Sequence, residues 1–207
     1  MLLAERLVLL LLDPKRGEWR VAPQRTPADE LCATALLVQL IAQHRIAVHG
    51  GRLAAVGQLP SSHALLDGTL AVLAHQPLAP AQAVIQVARH FAPLRVQLCE
   101  GLFRRDLLHR ERDTRFLRRT RLRYPLRSLQ ARNEAIAAVH AAAGTAPAGV
   151  IDLGLLLLLD LAGRLADYLD ADAHERAVQR LLQLGHAAPR DEALQALARL
   201  RDGLIDG

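Results

Sequence analysis

Aromatic residues and lysine are scarce in this chain. Of its 207 residues only 3% are aromatic, and Lys15 is the only lysine beside many arginines. The hydrophobic residues, 51% of the chain, are mainly leucine and alanine. Both favour helices over strands, and this amount of apolar material is enough for one core. We therefore predict a mainly α fold, a single-domain helical bundle that spans residues 1–207.

Patterns typical of catalytic or metal sites are also missing. Cys32 and Cys99 are the only cysteines, and neither has a second cysteine or an ordered histidine at metal-ligand spacing. No HExxH, CxxC, P-loop or GxGxxG pattern occurs. Asp152, Asp160 and Asp167 recur at spacings that could place them on one helix face, but capping and salt bridging explain them equally well. We expect no catalytic activity, no metal and no cofactor.

The two longest apolar segments are interrupted by charges. Residues 1–13 contain Glu5 and Arg6 and are followed by no small-residue cleavage site, which predicts a core helix and not a signal peptide. Residues 150–169 have roughly the length of a bilayer crossing, about 20 residues. Four charged residues lie within them: Asp152, Asp160, Arg164 and Asp167. We predict a buried central helix there, in a soluble cytoplasmic protein.

Prolines, glycines and apolar spacing divide the chain into predicted helices and hairpins. Helices are predicted at about residues 2–12, 27–43, 63–75, 80–91, 94–107, 129–142, 150–169, 173–184 and 191–205. Thr26 is the predicted cap of the second helix. Alternating Ile and Val on both sides of a glycine pair predict a hairpin over residues 45–56. Residues 115–118 and 121–124 look like the two arms of a second, extended hairpin.

Positive charge is concentrated in one segment. Between Arg104 and Arg132 the chain has eleven arginines and three acids, a net +8, whereas the whole chain carries +5 and the remainder therefore −3. Guanidinium groups remain charged and bind phosphate oxygens with two parallel hydrogen bonds. An anionic membrane and a nucleic acid both fit such a segment, and a solvated charged face is the plain alternative.

The membrane is the favoured partner because aromatic stacking groups are few. Only Phe116 and Tyr124 are interleaved with these arginines, whereas proteins that bind single-stranded nucleic acid use several aromatic side chains. The predicted anionic-surface patch consists of Arg104, Arg105, Arg118, Arg119, Arg121 and Arg123.

Several short motifs follow one another along residues 2–185. They are the Leu-rich run that ends at Asp13, Ala35 to Leu40 before Arg45-Ile46, Leu65-Leu66-Asp67, Leu107-Leu108 before Glu111, Phe116-Leu117, and Arg123-Tyr124-Pro125. In this order and spacing they resemble the Golgi phosphoprotein 3 family, including its bacterial relatives. The resemblance implies a mainly helical fold with a protruding β-hairpin at about residues 108–124.

The resemblance also implies a lipid. Eukaryotic members of the family bind phosphatidylinositol 4-phosphate on Golgi membranes and help to retain glycosyltransferases. The family's four headgroup positions, one Trp and three Arg, fall near Gln24 and on Ala33, Ala92 and Arg95. Only Arg95 is kept, and Trp19 would replace the aromatic residue if the loop before the second helix is shifted. Arg95 and Trp19 are thus the expected headgroup-binding residues.

In the family the hairpin can mediate self-association, which here would involve Phe116, Leu117, Leu122 and Tyr124. Our leading hypothesis is a peripheral membrane or adaptor protein that binds anionic lipid, with phosphatidylinositol 4-phosphate as one candidate, and forms homo-oligomers. The alternatives are a nucleic-acid-binding protein that uses residues 104–132 and a protein-interaction scaffold. The sequence does not specify the protein partner.

Overall fold

A computed structural model describes residues 1–22, 25–57, 60–61, 63–113, 121–184, 186 and 191–205. Over these residues the fold is mainly helical with two small antiparallel hairpins, as predicted. The helices are α1 Leu3–Leu11, α2 Ala28–Ala42, α3 Ala64–Ala74, α4 Pro80–His90, α5 Leu94–Arg104, α6 Leu129–Ala143, α7 Val150–Leu161, α8 Ala171–Leu182 and α9 Glu192–Ile205. The strands are β1 Ile46–His49 with β2 Arg52–Ala55, and β3 Glu111–Asp113 with β4 Arg121–Arg123.

Three leucine-rich helices, α1, α2 and α7, form the centre of the core. Every residue of α1 except Arg6 is buried, and α7 is buried continuously from Leu153 to Leu159. Because α2 packs against α1, α4 and α7, it too is enclosed on several sides. A helix that is apolar all round belongs inside a protein or a bilayer. None of the described helices has both the length and the apolar character to cross a membrane.

The predicted helix over residues 150–169 is shorter in the structure. Helix α7 ends at Leu161, and a short 3₁₀ helix follows at Leu165–Asp167. Between them Gly163 takes φ +65°, a left-handed conformation in which glycine commonly terminates helices. Apolar periodicity continues across this glycine, so it could not locate the break.

The predicted cap of the second helix is wrong. Helix α2 begins at Ala28, with Pro27 in the cap position and no side chain accepting the first backbone N–H groups. Thr26 therefore lies one residue outside the helix. Asp29 and Glu30 in the first turn complement the helix dipole, which is favourable at this end without a capping hydroxyl.

The second hairpin pairs in a different register from the predicted one. The arm over residues 121–124 is confirmed as β4, but its partner is β3 and not residues 115–118. Glu111 lies opposite Arg123, and Asp113 lies opposite Arg121. Because Glu111 and Arg123 carry opposite charges, their cross-strand pairing favours the observed register. Residues 114–120 lie outside the described residues.

The loop after α1 supports the base of this hairpin. The backbone N–H of Tyr124 donates to the Gly17 carbonyl, and the N–H of Leu126 donates to the Pro14 carbonyl. Gly17 has φ +63°, and a Cβ there would lie 2.3 Å from backbone atoms of Tyr124 and Pro125. Only glycine permits this approach, so the loop holds the hairpin at the C-terminal end of α1.

Candidate anion-binding surface

Arg95 lies at the N-terminal end of α5 and is already bonded to a carboxylate. Its backbone N–H donates to Asp29 Oδ1 at 2.7 Å, and its Nη1 donates to Asp29 Oδ2 at 2.5 Å. Asp29 is in the first turn of α2, so the pair joins the beginnings of two helices. A headgroup phosphate at Arg95 would compete with an internal carboxylate in two-point contact.

The other expected headgroup positions do not gather around Arg95. Trp19 forms an isolated β-bridge with Leu12 and is partly buried against the core. Among the described contacts none joins Trp19 to Arg95. Ala33 is fully buried inside α2, and Ala92 is exposed but offers no hydrogen-bonding group. Gln24 lies outside the described residues.

Two of the patch arginines are paired with acids from other parts of the chain. Arg105 Nη2 lies 2.6 Å from Glu5 Oε1, which belongs to α1. Arg123 Nη2 lies 3.2 Å from Glu18 Oε1, which belongs to the loop after α1. By contrast, Arg104 is exposed and has no carboxylate partner among the described side chains. Arg118 and Arg119 lie outside the described residues, and of Arg121 only the backbone is described.

Three more arginines of the basic segment bond to acceptors within the chain. The shared feature is an internal acceptor: Glu100 for Arg110 at 3.2 Å, Asp106 for Arg127 at 2.6 Å, and the carbonyls of Leu9 and Leu12 for Arg132, both at 3.0 Å. Three of the paired acids, Glu5, Glu18 and Glu100, come from outside the segment. These three acids offset part of the net charge of +8, which a count within the segment could not show.

One face of the β3–β4 hairpin carries an unpaired cation beside an exposed leucine. Arg112 is the cross-strand partner of Leu122, and partners across a strand pair project to the same face. Arg112 is exposed without a carboxylate partner among the described side chains, and Leu122 is 40% exposed. We call this pair the hairpin face. The predicted anionic-surface patch did not include Arg112. Its cross-strand pairing with the exposed Leu122 is the feature that identifies it.

Tyr124 does not belong to that face. It is 3% exposed, and its hydroxyl donates to Glu100 Oε1 at 2.8 Å. Burial, together with this bond to a carboxylate, raises the pKa of the Tyr124 phenol. Tyr124 therefore anchors the hairpin to α5. Phe116 and Leu117 lie outside the described residues, and self-association through this region stays a prediction.

Both cysteines are buried, and two of the three aspartates considered above, Asp152 and Asp167, bond to partners within the chain. Cys32 and Cys99 are buried free thiols, and burial raises both pKa values, that of Cys99 to about 12. Asp152 accepts the N–H of Gly149 at the start of α7, and Asp167 pairs with two arginines: Arg20 and Arg164. Among the described residues no group of three His, Cys, Asp or Glu side chains is placed to hold a metal.

A helical core with an arginine-bearing hairpin between α5 and α6 is the architecture that the motif order implied. The family model of Golgi phosphoprotein 3 (GPP34) matches residues 3–201, nearly the whole chain. The chain therefore belongs to the Golgi phosphoprotein 3 family. A comparison with curated proteins finds no match.

Proposed function

We propose that this Golgi phosphoprotein 3 family member is a non-catalytic peripheral membrane protein that binds anionic lipid surfaces through arginines. The observation that carries the proposal is the hairpin face, on which Arg112 and Leu122 lie side by side and exposed. Family membership and the further arginines of the hairpin segment support it.

The combination of a cation with an apolar side chain suits a membrane interface. A basic residue near an anionic membrane contributes about 1 kcal/mol of binding free energy. Leu122 adds apolar area that leaves water when it enters the boundary between headgroups and acyl chains, at about 25 cal/mol per Å². A nucleic acid would attract Arg112 in the same way, but its phosphate backbone provides no apolar region for Leu122. The membrane is therefore favoured over nucleic acid.

The proposed attraction depends on summed charge and apolar contact and not on the headgroup of phosphatidylinositol 4-phosphate. Arg95, the kept family position, is engaged by Asp29, and Ala33 has no polar side chain to offer. We propose that anionic vesicles with and without the phosphoinositide bind comparably at equal charge. An adaptor role and self-association through the hairpin belong to the same proposal and rest on the family resemblance.

Vesicle co-sedimentation tests the proposal. The wild type should bind anionic vesicles at low salt, and the binding should weaken as salt screens the attraction. Arg112→Gln should weaken the binding about fivefold, the equivalent of about 1 kcal/mol. Leu122→Ser, added to Arg112→Gln, should weaken the binding further. Arg199→Gln is the matched control, because Arg199 is an exposed arginine of α9 with no ion pair among the described side chains.

Three outcomes would contradict this function. The first is a wild type that does not bind anionic vesicles at low salt. The second is an equal effect of Arg112→Gln and Arg199→Gln. The third is binding to DNA or RNA in a mobility-shift assay without binding to vesicles, which would favour the nucleic-acid alternative. Arg95→Ala should leave phosphoinositide vesicle binding nearly unchanged if charge alone acts.

A further inference from the structure

An open pocket of about 570 Å³ lies at the C-terminal end of α5, away from Arg95. It is enclosed by the beginnings of α1 and α3 and by the ends of α2 and α5. Its polar lining consists of Glu5, Gln39, Gln43, His63, Arg104 and Arg105. Its volume falls within the usual range for small-molecule sites, about 300–1,000 Å³. None of the expected headgroup positions lines it.

Both oxygens of the Glu5 carboxylate in this pocket already have a donor. Glu5 is 5% exposed, its Oε1 pairs with Arg105 Nη2 at 2.6 Å, and its Oε2 accepts the backbone N–H of Leu2 at 2.9 Å. The charges of Glu5 and Arg105 cancel. Each oxygen of the buried acid has a donor, so Glu5 offers a ligand little further hydrogen bonding.

Two other acceptors in the lining are also occupied. Gln39 Oε1 accepts the backbone N–H of Leu3 at 3.1 Å, and His63 Nδ1 accepts the backbone N–H of Leu65 at 3.2 Å. With Nδ1 acting as an acceptor, the hydrogen of a neutral His63 ring resides on Nε2. The Gln39 side-chain NH₂ and His63 Nε2–H are left as donors.

The remaining polar groups of the pocket are mostly donors. Arg104 is exposed and its side chain has no ion pair or hydrogen bond among the described residues, so its guanidinium can donate to a ligand. The side chain of Arg105 is 46% exposed and retains N–H groups beyond the one that Glu5 uses. Gln43 adds an exposed amide. The side chains of the lining therefore carry one uncompensated positive charge and a surplus of donors.

Helix ends contribute to the same balance. The positive ends of the α1 and α3 dipoles and the negative ends of the α2 and α5 dipoles meet at the pocket and oppose each other. The negative end of α5 is partly neutralised, because the carbonyls of Leu102 and Phe103 accept backbone N–H groups of residues 105–107. The lining therefore offers positive charge and hydrogen-bond donors, which suit an anion with several acceptor oxygens.

We propose that this pocket binds a phosphate monoester. Such a group carries a charge of about −1.5 to −2 at neutral pH and three terminal oxygens, enough to accept from the Arg104 fork, from Arg105 and from His63 together. A phosphodiester has a single charge and two free oxygens, so it satisfies fewer of these donors. The site goes beyond the proposed membrane attraction, because it is built by α5 and α1 and shares no residue with the hairpin face.

The phosphate monoester has two possible sources, a lipid headgroup or a soluble sugar phosphate, and titrations of the full chain separate them. Glycerol 3-phosphate represents the soluble source, and dimethyl phosphate is its diester control. Vesicles with phosphatidic acid represent the headgroup, and vesicles of phosphatidylglycerol with matched surface charge are their control.

Three variants make the test specific. Arg104→Gln should weaken glycerol 3-phosphate binding about tenfold or more, since a hydrogen bond to a charged group contributes about 1.5–3 kcal/mol. Arg199→Gln, the remote control, should change it less than about twofold by long-range charge alone. Glu5→Gln keeps an acceptor for the backbone N–H of Leu2 but frees the charge of Arg105, so binding should tighten severalfold. A purely structural role of these residues predicts no tightening.

The outcomes are decisive. Binding of glycerol 3-phosphate that Arg104→Gln removes supports the site. If the chain shows no preference for phosphatidic acid vesicles, the source is a soluble sugar phosphate. If it also prefers phosphatidic acid and Arg104→Gln removes that preference, a lipid headgroup fits the site as well. No heat or chemical shift change with glycerol 3-phosphate together with no preference for phosphatidic acid overturns it, as does equal binding of mono- and diester. The hairpin-face variants report the membrane proposal separately, because Arg112→Gln should leave glycerol 3-phosphate binding intact.

Discussion

The two ends of helix α5 use arginine in opposite ways. At the N-terminal end, Arg95 is held by the Asp29 carboxylate through two hydrogen bonds. At the C-terminal end, about 14 Å along the helix axis, Arg104 has no carboxylate partner among the described side chains, and Arg105 pairs with Glu5. The end at which the resemblance placed Arg95 as an expected headgroup residue carries an internal ion pair, and the other end borders a donor-rich pocket.

This difference shows that an arginine acquires its role from its acceptor. Where a carboxylate or a helix carbonyl from a distant segment reaches the guanidinium, the arginine fastens two elements together. Arg132 bonds the end of α1, and Arg180 bonds the carbonyls of Ala142 and Ala146 near the end of α6. Where no acceptor arrives, the charge stays available to a ligand.

The largest expected effect concerns an arginine with internal acceptors. Arg132→Met should lower the free energy of unfolding by about 2–4 kcal/mol, because Leu9 and Leu12 lose their bonds to a charged donor. Arg104→Met should change it by less than about 0.5 kcal/mol, as is usual at exposed positions. Urea denaturation of both variants measures the difference. Equal losses of unfolding free energy would contradict the distinction between arginines that join two elements and arginines that do not.

A smaller effect is expected at the closed end of α5. Asp29→Asn should cost about 1 kcal/mol of stability, a modest value because the Arg95 side chain is 44% exposed to solvent. The same change releases the charge of Arg95, so binding to anionic vesicles should strengthen. Arg95→Ala should cost similar stability without that gain. If Asp29→Asn leaves vesicle binding unchanged, the ion pair with Asp29 is not what keeps Arg95 from binding an anion.

The smallest effect concerns the middle of α5, where Glu100 receives the Tyr124 hydroxyl. Burial raises the folded-state pKa of Tyr124 above the unfolded value of about 10. The unfolded chain therefore releases this proton first, and the stability present at lower pH is lost as pH rises above about 10. In Tyr124→Phe the decline over this range should be shallower, as thermal unfolding between pH 8 and 11 would show. An identical decline would contradict the assignment.

Much of the fold follows from local pattern. Leucine spacing, prolines and the glycine pair placed nine helices and the first hairpin among the described residues to within a few positions at most ends. The departures have local causes that periodicity does not register. Gly163 ends α7 through its left-handed backbone, and the opposite charges of Glu111 and Arg123 favour the pairing of β4 with β3.

The sequence by itself determined the helical class, the family and the presence of an arginine-rich segment, because these depend on composition and on neighbours along the chain. Only the tertiary structure decided which arginines are free. Glu5 meets Arg105, and Asp29 meets Arg95, across sequence separations of 100 and 66 residues. Charge neutralisation acts through space over a few ångströms, so the fold, not the order of residues, leaves Arg104 and Arg112 without a carboxylate partner among the described side chains.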